Sequence, residues 1–300
     1  MDLIVSSISQ GILWGILSLG IFISFRVLNI ADMTTEGTYP LGAATCVMLI
    51  QQGVHPLVAT LAALITGGLA GLVTGLLITV CKIPSLLAGI LTMTGLLSIN
   101  LRIMGRPNLN LADKATIFDG LNGLHLPPYF DIIFMGIFIV ALIILLMYVF
   151  FSTEIGQALI ATGDNPLMAA SLGISTKSMT VFGLILSNSL VALTGAILSQ
   201  NNGYADVNSG LGTIVIALAA IIIGEVIFGD VSFFLRLICI IFGSIIYRLL
   251  LMLVLQIPFI QTNDFKLLSA ILIAACLTIP QAKSWLDRIS KRQVRGGRSL

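Results

Sequence analysis

Ionisable side chains inside long apolar stretches are the first residues of this sequence that could do chemistry, because charges are costly there and commonly functional. Three stand out: Glu225, Arg236 and Arg248. Glu225 and Arg236 flank a short turn at residues 229–232, so we interpret them as a structural ion pair across a helical hairpin, with a transport role as the alternative. Arg248 leaves two interpretations open: a snorkelling side chain that contacts a backbone carbonyl, or a charge that faces a solute path.

Motifs for catalysis and for nucleotide or metal binding do not occur in the sequence. The absence of any Gly-Lys dipeptide excludes a P-loop, and neither His-Glu-x-x-His nor Gly-x-Ser-x-Gly is present. The two histidines, His55 and His125, lie in polar connections without ligand partners. We therefore predict no catalytic residue, metal site or cofactor in this chain. Its four cysteines are interpreted as small buried hydrophobes: Cys46, Cys81, Cys239 and Cys276.

The composition indicates which solvent surrounds the chain. Hydrophobic residues make up 57% of it, charged residues only 9%, and the mean hydropathy is +1.08, whereas an average soluble protein has roughly 25% charged residues. Such a chain has too little polar surface to cover a globule in water, so membrane lipid is its expected solvent. The net charge of +2 gives no reason to expect a nucleic-acid partner.

Apolar stretches of about 20 residues predict the membrane-spanning helices. We predict an all-α polytopic membrane protein with about nine transmembrane or broken helices in a single domain over residues 1–280. Its first segment has no basic start and is expected to be retained, not cleaved as a signal peptide. The segments are residues 3–25, 36–51, 56–80, 84–104, 130–151, 178–199, 211–229, 232–256 and 264–280. The second is the shortest and carries Glu36 and Pro40 near its start.

Basic residues predict the orientation, because cytoplasmic connections are enriched in lysine and arginine. Residues 281–300 form a basic tail, which places the C-terminus in the cytoplasm and, through nine spans, the N-terminus outside. The fewer basic residues on the outer side agree with this assignment. The tail contains one acid, Asp287, and the bases Lys283, Arg288, Lys291, Arg292, Arg295 and Arg298.

Two long polar connections remain, at residues 105–129 on the predicted outer side and 152–177 on the inner side. The inner connection has apolar residues at helical spacing on both sides of Gly163-Asp164-Asn165-Pro166. This pattern predicts two short helices, Glu154 to Thr162 and Pro166 to Leu172, with Asn165 as the cap of the second and Gly173 at its end. A surface helix that merely links two spans is the alternative interpretation.

Two stretches of the sequence resemble each other. Ala31-Asp32 and Ala205-Asp206 each follow a span and lead through a short polar run into a helix rich in small residues. By the span count Asp32 lies on the cytoplasmic side and Asp206 on the outer side, which predicts two inverted-repeat halves, a recurring arrangement in transporters. Chance similarity is the alternative. Because mid-depth positions hold almost no carboxylates, we expect the driving energy to come from outside the chain. Candidate path residues are Asp32, Thr34, Thr35, Glu36, Asn208, Ser209 and Arg248.

A family resemblance follows from these residues. Residues 11–44 (GILWGILSLGIFISFRVLNIADMTTEGTYPLGAA) resemble the first segments of the branched-chain amino acid and ribose permease family of ABC importers. The inner connection resembles the coupling loop of that family, although Gln157 and Ile160 stand where arginine is frequent. Residues 83–107 resemble a bacterial subgroup that is linked to aromatic amino acid uptake, of tryptophan or tyrosine.

The resemblance implies an ABC importer permease fold in a bacterial cell membrane. It further implies a second permease subunit forming a homodimer, a cytoplasmic ABC ATPase dimer that binds ATP and Mg, and an extracytoplasmic substrate-binding protein. The expected function is translocation of an aromatic amino acid. A permease for a branched-chain amino acid, sugar or nucleoside, an ion-coupled carrier and a membrane-anchored assembly subunit are the alternatives. The implied ATPase-coupling residues are Glu154, Gly156, Gly163, Asp164, Asn165, Pro166, Ala169, Ala170 and Gly173.

Overall fold

The computed structural model describes residues 2–111, 114–119, 130–229 and 231–255, together with five isolated helical positions at 267, 270, 271, 274 and 278. Most of the ninth predicted segment, residues 264–280, and the whole basic tail, residues 281–300, lie outside the described residues. The described chain is almost entirely helical, as the sequence predicts.

Ten α-helices follow one another along the described chain. Their bounds are α1 Asp2–Ile21, α2 Thr35–Gln51, α3 Pro56–Thr79, α4 Ser85–Met104, α5 Phe130–Phe151, α6 Glu154–Asp164, α7 Pro166–Ser171, α8 Thr176–Asn202, α9 Thr213–Phe228 and α10 Phe233–Leu255. The first helix continues without a break into a π-helical segment, Phe22–Val27, and a short 3₁₀ turn, Val207–Gly210, precedes α9.

Eight of the nine predicted spans coincide with described helices. Among the described residues, seven helices are long and apolar enough to cross a membrane, and the chain is therefore a multi-pass membrane protein. The exception is α2, which has 17 residues. The outward faces of α3, α4 and α5 are apolar and exposed, as expected for helices that contact lipid.

The two ends of the helix bundle differ, and we name each by what it carries. At one end, the loop end, α6 packs against Val27 and Leu28, and α7 follows α6. At the other, the hairpin end, two three-residue strands pair: β1 Asn108–Asn110 and β2 Tyr204–Asp206. They are antiparallel, with Asn108 opposite Asp206. The sequence did not predict these strands, which are too short to show an alternating pattern.

The centre of the bundle is formed by α2, α3 and α8, which approach one another at glycines. A Cβ added at Gly71 would meet the carbonyl group of Leu184, and one at Gly195 would meet the carbonyl group of Tyr39. Small residues allow this closeness, which increases van der Waals contact where lipid supplies no hydrophobic driving force. The three helices therefore form a closely packed central unit around which the other spans pack.

Candidate functional site

The inner connection folds as the sequence predicts. Two short helices, α6 and α7, are joined at Asn165, whose side-chain oxygen accepts a hydrogen bond from the backbone N–H of Met168 at 3.1 Å. Thr153 caps α6 by accepting from the N–H of Gly156 at 3.3 Å. Gly173 follows α7 with φ +85°, a left-handed conformation that suits glycine. This helical pair is called the coupling hairpin below.

One face of the coupling hairpin is fixed to the membrane body. Gly163 lies so close to Val27 that a Cβ there would overlap the Val27 carbonyl oxygen. The side-chain amide of Asn29 donates to the carbonyl oxygen of Gly163 at 3.3 Å. Gly156 and Ala169, two further predicted coupling residues, are also buried. Gly163 therefore fixes the hairpin to the end of the first span, and Gly156 packs against Phe150 and Phe151 at the end of α5.

The other face of the coupling hairpin is exposed. Six predicted coupling residues lie on it: Glu154, Asp164, Asn165, Pro166, Ala170 and Gly173. Three apolar side chains that the sequence analysis did not select accompany them, namely Leu167 (85% exposed), Met168 (60%) and Leu172 (68%). This apolar surface lies outside the spans, where exposed apolar patches mark sites of protein contact. Helical periodicity could have identified this apolar surface in the sequence, because its three residues are not on the face of α7 that packs inward.

A buried polar network surrounds Asp32. One carboxylate oxygen accepts from the backbone N–H of Thr34 at 3.0 Å, and the other accepts from the side-chain amide of Asn188 at 2.7 Å. Thr38 donates to the amide oxygen of Asn188 at 2.8 Å. Asp32, Thr34 and Thr35 are at most 2% exposed. In this structure, therefore, these three candidate path residues face the protein interior.

The depth of Asp32 corrects a prediction. Asn188 is twelve residues, or about 18 Å, from the start of α8 at Thr176. Asp32 therefore lies at mid-depth and not at a membrane edge, and the prediction that these depths hold almost no carboxylate is wrong at this position. The reason is that the chain turns back into the bundle after the π-helical segment, so that α2 begins inside it.

Threonine hydroxyls extend the network towards α3 and α4. The hydroxyls of Thr34 and Thr74 are 2.7 Å apart, and Thr74 donates to Thr92 at 3.0 Å. Side-chain hydrogen bonds therefore connect the beginning of α2 with α3, α4 and α8 at one depth in the bundle. Asn188 was the detectable sequence signal, since an amide in the middle of an apolar span requires partners.

The remaining candidate path residues lie closer to solvent. Glu36 is half-buried, and its carboxylate accepts from the backbone N–H of Gly212, the residue that precedes α9, at 3.0 Å. Asn208 and Ser209 are exposed in the turn before α9. The beginnings of α2 and α9 therefore meet inside the bundle, and Glu36 connects them.

The two similar sequence stretches share one local structure. Asp32 accepts from the N–H of Thr34 and Asp206 accepts from the N–H of Asn208, so each closes an Asx turn. Three residues after each aspartate, the hydroxyls of Thr35 and Ser209 donate to the backbone carbonyl oxygens of Asp32 and Asp206. Contacts of Gly20 with Ser187 and of Gly183 with Leu28 show that α1 and α8 run in opposite directions, as an inverted repeat requires.

Comparison with known proteins now identifies the family. A family described as "Branched-chain amino acid transport system / permease component" matches residues 3–277. The chain belongs to this permease family. It is 39% identical to the tyrosine transport system permease protein of Clostridioides difficile over 92% of this chain and 91% of the relative. It is 35% identical to an uncharacterized protein of Rickettsia prowazekii over 76% and 79% of the two chains.

A more distant relative of the permease is the autoinducer 2 import system permease protein of Salmonella paratyphi B, which is 28% identical over 70% of this chain and 59% of the relative. No solved structure matches the chain significantly. The family is a transport permease component of ABC importers and not an enzyme, in agreement with the absence of catalytic motifs.

The ion pair predicted between Glu225 and Arg236 is wrong. Arg26, at the end of the first span of the permease, donates from Nε to Glu225 at 2.9 Å. The Nε of Arg236 is buried and has no hydrogen-bond partner in the part of the chain that the structure describes. Packing of α1 against α9 brings Arg26 to Glu225, a long-range contact that sequence spacing cannot show.

Arg248 is on α10, and its side chain extends towards α1 and α2 of the permease. Its guanidinium is 4.3 Å from the ring centroid of Trp14, and the Trp14 ring stacks on Tyr39 with centroids 5.8 Å apart. The side chain is half-buried and its Nε is enclosed. The guanidinium thus contacts an aromatic ring, and the snorkelling and path-facing interpretations of Arg248 both stay predictions.

Proposed function

We propose that this permease is the membrane subunit of an ABC importer that translocates an aromatic amino acid, tyrosine or tryptophan. The observation that carries the importer assignment is the coupling hairpin, which is fixed to the membrane body on one face and apolar and exposed on the other. The 39% identity to a tyrosine transport system permease over nearly the whole of both chains supports the substrate class.

The partners follow from the nucleotide-binding site that the described residues lack. A passage without its own nucleotide site needs conformational work from another protein. The exposed face around Leu167 suits docking into a groove of an ATPase dimer, where ATP and Mg bind. A second copy of the permease completes the passage, and an extracytoplasmic binding protein delivers the solute. With this assignment the coupling hairpin and the C-terminus lie in the cytoplasm and the N-terminus outside.

The described contacts give a route for coupling. A movement of the hairpin displaces Val27 and Asn29 directly, because Gly163 contacts both. Asp32 lies three residues further along and is fixed to Asn188, and Glu36 connects the start of α2 with that of α9. ATP binding can bias the passage between two states only by favouring one of them, and this chain of contacts transmits that bias.

Reconstitution tests the proposal. The permease is placed in liposomes with the ABC ATPase and the binding protein of its importer, and uptake of L-tyrosine, L-tryptophan, L-leucine and ribose is measured. We expect ATP-dependent uptake of an aromatic amino acid and none with a non-hydrolysable ATP analogue. A hydrolysis-deficient ATPase is the matched control.

Three results would contradict the proposal. Uptake driven by an ion gradient without ATP would indicate a secondary carrier. ATP-dependent uptake restricted to leucine would indicate a branched-chain substrate, and uptake restricted to ribose would indicate a sugar substrate. The last result is a specific alternative, because one relative belongs to an autoinducer 2 import system.

A further inference from the structure

Arg248 carries a charge for which the described chain supplies no acidic partner. Within the described ranges the ion pair of Arg26 with Glu225 is the only salt bridge, and it lies at the loop end. The guanidinium rests on the Trp14 ring, but a cation–π contact contributes less than the cost of enclosing an uncompensated charge in a span. An enclosed Nε without a hydrogen-bond partner adds to that cost.

The charge of Arg248 lies beside aromatic side chains. Trp14 contacts the guanidinium and stacks on Tyr39 with an interplanar angle of 26°. Tyr39 is 5% exposed and therefore cannot move aside easily. A guanidinium 4.3 Å from a ring centroid still has N–H donors in a planar fork, and this fork suits bidentate binding of a carboxylate.

Glu36 provides a carboxylate on the side of α2 that carries Tyr39. Glu36 is one helical turn before Tyr39, so their side chains share a face. One Glu36 oxygen accepts from the N–H of Gly212, and the residue is half-buried. The negative group of Glu36 is therefore on the α2 face that carries Tyr39, and Tyr39 is connected through Trp14 to the positive group of Arg248.

We propose that Arg248 binds the carboxylate of an amino-acid solute and that Glu36 receives its ammonium group. This inference rests on the proposed function and extends it, because it names the groups that recognise the amino-acid backbone. It implies that the permease itself discriminates amino acids from amines and from carboxylic acids that lack the ammonium group. An anionic lipid phosphate is the other chemistry that could neutralise Arg248.

Trp14 provides a direct readout. The chain has two tryptophans, Trp14 and Trp285, so W285F leaves Trp14 as its only indole. The full-length W285F permease in nanodiscs is titrated with L-tyrosine, tyramine and 3-(4-hydroxyphenyl)propionate, with excitation at the red edge of tryptophan absorption. We expect L-tyrosine to change the emission strongly, the propionate to do so more weakly, and tyramine to have no effect.

Substitutions test the role of each charge. R248M should weaken the response to L-tyrosine and raise the KM for uptake about 10- to 100-fold, since a charge-assisted pair is lost. R248K should recover part of this loss. E36Q retains an acceptor for Gly212 but should abolish the preference for L-tyrosine over the propionate. R236M, on the same helix about 18 Å away, is the matched control and should leave KM unchanged.

The outcomes are distinguishable from a failure of the proposed function. If the wild-type importer transports tyrosine but Trp14 does not respond to it, the inference is wrong while the function stands. Equal responses to tyramine and L-tyrosine, or an R248M variant with the KM of R236M, also overturn it. A response that requires anionic lipid in the nanodisc and ignores the solutes assigns Arg248 to lipid and likewise overturns it.

Discussion

Gly163 is the position at which one added methyl group should disconnect ATP hydrolysis from transport. In G163A the new Cβ would overlap the carbonyl oxygen of Val27 and would lie 2.7 Å from its carbonyl carbon and 2.9 Å from the Cα of Leu28. All three obstacles are backbone atoms, which cannot rotate out of the way. The α6 helix must therefore move away from the first span.

The magnitude follows from two contributions. Overpacking of this kind costs about 1–3 kcal/mol, and loss of the hydrogen bond from Asn29 to the Gly163 carbonyl costs about 0.5–1.5 kcal/mol. Together, about 1.5–4.5 kcal/mol would shift the docked-to-undocked equilibrium of the coupling hairpin about 10- to 2,000-fold. The spans themselves are not contacted by the new methyl group except at Val27 and Leu28, so the membrane body should remain folded.

The assay compares solute uptake with ATP hydrolysis in the same liposomes. We expect the solute transported per ATP to fall at least about tenfold in G163A while hydrolysis continues. The matched control is G95A on α4, where a Cβ would meet nothing within 4 Å. N29G removes only the hydrogen bond and keeps the left-handed backbone at φ 55°, so it should have an intermediate effect. A wild-type transport ratio in G163A would refute the reasoning.

Two further predictions concern stability. N188L removes the donor to Asp32 and the acceptor for Thr38, so it should lower the stability of the purified permease by about 1–3 kcal/mol, and an unchanged melting temperature in fluorescence-detected size-exclusion would contradict this. The pair of Arg26 with Glu225 is partly exposed (49% and 21%), so a double-mutant cycle should give only about 0.2–1 kcal/mol, decreasing with salt; a larger, salt-independent coupling would show that the pair is enclosed.

Most of the helical architecture was accessible from the sequence, because hydropathy is decided within about 20 consecutive residues. The coupling hairpin was equally accessible, since Asn165, Pro166 and Gly173 are local signals for a cap, a helix start and a helix end. The basic tail and most of the ninth segment remain predictions. So do the assignments of the individual path and coupling residues, which need transport measurements.

What the sequence could not provide is depth and long-range partnership. The π-helical segment Phe22–Val27 has no sequence signature, yet after it the chain turns inward and carries Asp32 from the predicted edge to mid-depth. The partner of Glu225 is Arg26, 199 positions away, and not the nearby Arg236. Such contacts depend on how complete helices pack, which no local pattern records.

The inverted repeat gains a physical meaning from the contact between Glu36 and Gly212. Each half starts an inner helix at an Asx turn, closed by Asp32 in one and by Asp206 in the other. If the N-terminal ends of α2 and α9 moved independently, a movement of the coupling hairpin would reach α2 but not α9. The Glu36 carboxylate accepts a hydrogen bond from Gly212, the residue that precedes α9. Displacement of the N-terminal end of α2 must therefore either stretch this hydrogen bond or move the N-terminal end of α9 as well. In the proposed site the Glu36 carboxylate both transmits the movement and receives the ammonium group of the solute. Solute binding and ATP binding would therefore both affect the position of this carboxylate.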